Sequence, residues 1–98
     1  MATTLSPVWT NEAISDLNSI YNHLLEWNSK TSAQKIINEI LNAPNGIVFG
    51  GQFQIDEYYP NFRRIIIRNY KILYHFTTET IVIVAVFNTK RHPSTLRR

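Results

Sequence analysis

The sequence predicts an α+β fold in which a helical hairpin covers one face of a C-terminal antiparallel sheet. Three observations lead there. Apolar residues recur every three or four positions in two segments between residues 13 and 41. From Phe62 the period drops to two and β-branched residues take over. The chain has 98 residues, 44% of them hydrophobic and 12% aromatic, enough for a real core in a single domain spanning 1–98.

The elements follow in order. Ser6-Pro7-Val8-Trp9-Thr10 is a short apolar segment suited to an edge strand, where proline is tolerated at the start. Thr10 or Asn11 can cap the first helix, with Glu12 in its first turn. Ile14, Leu17, Ile20, Tyr21, Leu24 and Leu25 then define one face up to about Trp27-Asn28. Thr31 and Gln34 form a capping box for a second helix, whose face is Ala33, Ile36, Ile37, Ile40 and Leu41. Pro44-Asn45-Gly46 stops it.

Residues 46–61 lack periodicity, broken by Gly50-Gly51 and Pro60, with Ile47, Val48 and Phe49 expected to pin the loop to the core. Ile65 to Ile67 make one strand. The turn falls at Arg68-Asn69, where Asn69 tolerates a positive φ. Tyr70, Ile72, Tyr74 and Phe76 alternate along the next strand, Thr77 to Thr80 turn, and Ile81 to Phe87 form a nearly continuous apolar strand. The order is β-α-α-β-β-β.

Charge divides the chain. Residues 62–98 carry eight Lys and Arg against Glu79 alone, a net of +7; residues 1–61 carry two lysines against six carboxylates, a net of −4. Such polarity suits a polyanionic or acidic partner. Some of Arg63, Arg64 and Arg68 can be read as guards against strand aggregation, but that does not account for the whole excess. Glu12, Asp16 and Glu26 read as a solvated helix face, and His23 as part of its polar rim. There is no cysteine, and three scattered histidines make no metal site, so no cofactor is expected. No secretory leader is visible and the longest apolar run is far too short for a membrane span, so a cytoplasmic protein is expected.

By strand alternation Lys71, Leu73 and His75 share the face opposite Tyr70, Ile72, Tyr74 and Phe76. The aromatic set reads as core, so Lys71 and His75 are expected to look out from the open side. Arg63, Arg64, Lys90 and Arg91 complete the candidate binding set for nucleic acid or another target.

The chain resembles the RelE/ParE superfamily of bacterial type II toxins over nearly its whole length. The resemblance rests on Trp9, the Ala13-x-x-Asp16-Leu17-x-x-Ile20-Tyr21 pattern, Ala33 with Ile36, Phe62-Arg63-Arg64-Ile65, Tyr70-Lys71-Ile72-Leu73-Tyr74 and Thr89-Lys90-Arg91-His92-Pro93. It implies a small cytoplasmic toxin of a plasmid-stabilisation type, neutralised by a cognate antitoxin. One fold serves two mechanisms, so the site has to decide between them. RelE-like members cleave mRNA in the ribosome with basic residues on the concave sheet face and a C-terminal aromatic or imidazole; ParE-like members poison DNA gyrase.

Carried over by motif, Lys71 stands at the strand arginine, Lys90 or Arg91 at the late basic residue, and Arg63 more loosely at a preceding one. A RelE-like nuclease would use Lys71, Arg91 and His92, the imidazole as the acid/base. Two departures favour the ParE-like reading. No tyrosine follows Tyr74, and Lys71 replaces a guanidinium, losing bidentate phosphate geometry. A degenerate module that only binds antitoxin is the third alternative.

Overall fold

The computed structural model describes residues 6–90. Strand β1 (Ser6–Trp9) leads into helices α1 (Asn11–Leu25) and α2 (Lys30–Asn42). Two short 3-10 turns at Ala43–Gly46 and Gly50–Gln52 follow, then strands β2 (Arg63–Ile67), β3 (Tyr70–Phe76) and β4 (Thr80–Asn88). The expected α+β order is therefore the observed one.

The sheet runs β1-β4-β3-β2, with the last three strands antiparallel and β1 added parallel to β4 at the edge. Thr10 makes the join. Its N–H and its hydroxyl both donate to the Ile83 carbonyl, at 3.1 and 2.9 Å, while Oγ1 accepts the Ala13 N–H and caps α1. One residue thus ends the strand, starts the helix and ties both to β4.

α1 stops at Leu25, earlier than the apolar pattern suggests, and leaves Trp27 78% exposed. α2 is capped by Ser29, whose hydroxyl accepts the Ser32 N–H, rather than by Thr31. The apolar face is unchanged by that shift. Ala13, Leu17 and Ile40 from the helices meet Ile65, Ile72, Tyr74, Ile81, Ile83 and Val86 from the sheet. Each fully buried isoleucine contributes about 1.5–3 kcal/mol.

β4 keeps its face through a bulge. Leu73 pairs with Ala85 but Tyr74 pairs with Ile83, so Val84 is an extra residue. The insertion changes the parity, which lets Ile81, Ile83 and Val86 all reach the helix-side core. Asp16 is not part of a solvated face: its carboxylate accepts the Val86 N–H at 2.9 Å, just beyond the bulge.

At the β2–β3 turn it is Arg68, not Asn69, that takes the positive φ, 53°. Two contacts explain the exchange. The Arg68 guanidinium grips Glu39 of α2 at 2.6 and 2.8 Å, and the Asn69 carbonyl is occupied by the N–H and hydroxyl of Thr89. Of the three residues expected to pin the preceding loop to the core, Ile47 alone is fully buried; Val48 and Phe49 are exposed, and Phe53 packs against the core in their place. Gly50 is needed where it sits, since a Cβ there would lie 1.9 Å from Cδ2 of Phe76. Its carbonyl accepts the buried Tyr74 hydroxyl at 2.9 Å.

Candidate partner-binding face of the sheet

The face of the sheet opposite the helices is not open. Residues 53–62 cross it as a strap. Ile55 bridges Arg63, and the Arg64 N–H donates to the Gln54 carbonyl, so the strap starts as an extra strand fragment beside β2. It then turns on Asp56. One carboxylate oxygen accepts the N–H groups of Tyr58 and Tyr59 at 3.0 and 2.9 Å, a side-chain turn that aspartate forms readily. The Asp56 N–H donates to the Phe62 carbonyl and the Phe62 N–H to the Tyr59 carbonyl, both at 2.9 Å. The loop is closed on itself.

Under it lies a second apolar cluster of Leu73, Ala85 and Phe87, packed by Tyr59, Phe62 and Val84. This overturns the expected exposure of Lys71. Strand alternation does place Lys71 opposite the aromatic core, but the strap covers that side, and Lys71 is 4% exposed. Its Nζ lies 2.6 Å from Oδ1 of Asp56, with the Tyr58 and Phe87 rings 5.1 and 5.7 Å away. Burial works to raise the Asp56 pKa. The Lys71 ammonium and the two backbone N–H groups outweigh it and hold the carboxyl below the usual aspartate value. Lys71 is the internal counter-ion of the strap.

The remaining candidates are dispersed. Arg64 donates to the Ile55 carbonyl and Gln54 Oε1, with Asp56 Oδ1 3.7 Å away. Arg63 pairs in register with Tyr74, so it faces the helix side, donating to the Phe53 carbonyl at 2.7 Å with its guanidinium over Phe76. His75 is exposed on the opposite face, its ring 6.0 Å from that of Phe62. Lys90 is exposed beyond the end of β4, at the opposite end of β3 from His75. Arg91 and His92 lie outside the described residues. Arg63 and His75 therefore do not form one site with Lys71.

What sequence reasoning missed is the strap's own set: Asp56, Tyr58, Tyr59 and Phe62. The signal was the Asp56-x-Tyr58-Tyr59-Pro60 order, an aspartate able to accept the N–H groups two and three residues on. Tyr59 stacks edge-on to Phe87 at 6.3 Å. Between the strap and the start of α1, Thr10, Glu12, Tyr59, Phe62, Leu73 and Val84 line an apolar cleft of about 370 Å³.

The helical hairpin on a β1-β4-β3-β2 sheet is a fold shared with solved structures. The chromosomal ParDE toxin–antitoxin system from P. aeruginosa superposes with a TM-score of 0.70 at 20% identity, covering 87% of this chain and 96% of that one. A conserved hypothetical protein from Helicobacter pylori superposes with a TM-score of 0.56 at 13% identity, covering 89% and 97%. Residues 8–93 match the family described as the ParE toxin of the type II toxin–antitoxin system parDE, and the chain belongs to that family. No curated protein matches the chain at a significant level. Among the described residues, no helix is long and apolar enough to cross a membrane.

Proposed function

We propose that the chain is a growth-inhibiting toxin that acts in the cytoplasm by docking to DNA gyrase and is neutralised by a cognate antitoxin. The observation that carries this reading is the burial of Lys71. A nuclease built on this sheet needs the cation at that position to meet an RNA phosphate, yet here it is 4% exposed and ion-paired at 2.6 Å. With Arg68 held by Glu39 as well, two of the cations that make the C-terminal half basic are neutralised by carboxylates of the N-terminal half. The cleft between the strap and α1, lined by Tyr59, Phe62, Leu73 and Val84, is mostly apolar, which suits protein docking better than phosphate contact.

Induction without antitoxin tests it. A gyrase-directed toxin triggers DNA-damage signalling and filamentation, with gyrase-linked cleaved DNA accumulating. Rapid arrest of translation with mRNA cut at codon boundaries would instead establish the ribosome-dependent nuclease and sink the proposal. Harmless induction with antitoxin binding retained would mark a degenerate binding module.

A further inference from the structure

The cleft between strap and α1 is built for a particular kind of contact. Its floor is Leu73, 1% exposed, and the bulge residue Val84; its walls are Tyr59 and Phe62. The hydroxyl at its edge is already spent, since Thr10 Oγ1 donates to Ile83 and accepts from Ala13. The floor therefore asks for an apolar group. The rim is different. Glu12 is exposed, and among the described residues lining the cleft it is the one carboxylate, with no lysine or arginine beside it. Among the described residues, the lysine and arginine that share this face, Lys71 and Arg64, are turned to Asp56. The walls are also fixed in advance, because the Asp56 turn and the Tyr59–Phe62 hydrogen bond set where both rings stand. Such preorganisation reduces the ordering cost of binding.

We propose that this cleft receives a large apolar side chain flanked by lysine or arginine from a partner protein. The apolar group sits on Leu73 and Val84, and the cation meets Glu12. The assignment rests on the reading that the chain acts by docking to a protein, and it points to a basic segment of the target. An acidic segment would meet Glu12 with like charge, so this cleft selects against one.

The test uses the full chain with methyl-labelled Leu, Val and Ile, titrated with two end-blocked peptides, Lys-Lys-Leu-Lys-Lys and Glu-Glu-Leu-Glu-Glu. The basic peptide is expected to shift the Leu73 and Val84 methyl signals saturably, leaving those of Ile40 and Ile81 in place. Glu12→Gln should weaken it about two- to five-fold, the range of an exposed ion pair. Val84→Thr, which keeps the β-branched shape of the strand, should weaken both the shift and the affinity, with unmoved Ile40 and Ile81 signals certifying the fold. Equal binding of the acidic peptide, or no shift at Leu73 and Val84 with either, overturns the proposal. An induced chain that leaves gyrase undisturbed would sink the functional reading while leaving the titration standing. Gyrase poisoning without a methyl shift would overturn the cleft alone.

Discussion

Replacing Asp56 by asparagine isolates the charge that the strap depends on. The asparagine oxygen can still accept the Tyr58 and Tyr59 N–H groups, so the turn keeps its hydrogen bonds. What is lost is the partner of the Lys71 ammonium, whose side chain is 5% exposed beside a fully buried carboxylate. Removing one member of a buried pair costs about 3–5 kcal/mol, because the other charge stays desolvated. A small domain holds only about 5–15 kcal/mol in total. For a chain of this size each kcal/mol moves the midpoint by roughly 4–8 °C, so Asp56→Asn should lower Tm by about 12 °C or more. Thermal and urea denaturation followed by circular dichroism measure this, together with Lys71→Met and the double variant. The double variant should recover most of the loss, since neither site then holds a buried, unpaired charge. A Tm for Asp56→Asn within about 3 °C of the parent, or a cycle with no coupling between the sites, would refute the account.

Acid should act through the same pair. The folded Asp56 pKa lies below its unfolded value, so its contribution is fully present above about pH 3.9. It is lost as pH falls from there through the folded value, and a stability–pH profile of Asp56→Asn should lack that part of the acid loss. Gly50→Ala should cost about 1–3 kcal/mol, because the new methyl must displace the Phe76 ring and its stacking with Arg63; urea unfolding reads it. Arg68→Gly should keep or raise the thermal midpoint, since the relieved left-handed backbone outweighs a solvent-screened pair with Glu39. A clear fall in the midpoint would show that the guanidinium matters more than the turn.

The fold was legible because its apolar periods are long and local. Leu17, Ile20, Leu24, Ile36 and Ile40 announce the helices, and Tyr70, Ile72 and Tyr74 the central strand. Caps were harder. Ser29 and Thr31 are both good caps two residues apart, and only the Ser29–Ser32 contact decides between them. The candidate site was misread for a different reason. Alternation correctly divided Lys71 from Tyr70 and Ile72, yet period two says which face a residue takes and nothing about what covers that face. The cover is the aperiodic 53–62 segment, whose order comes from one aspartate turn and a pairing with a strand that follows it. Arg63 was placed with the wrong companions because its cross-strand partner is Tyr74, and register is a property of two strands together.

The parallel pairing of β1 with β4 also has a consequence in time. Trp9 pairs with Ile83, and the hydroxyl of Thr10 donates to a carbonyl 73 residues further on. Among the described strands the first made is thus completed by the last, and the strap locks only when Lys71 arrives to meet an Asp56 already synthesised. Contacts of such long range close late and slowly. A growing chain of this toxin stays unfinished, and its cleft unformed, until the ribosome has delivered nearly the whole sheet.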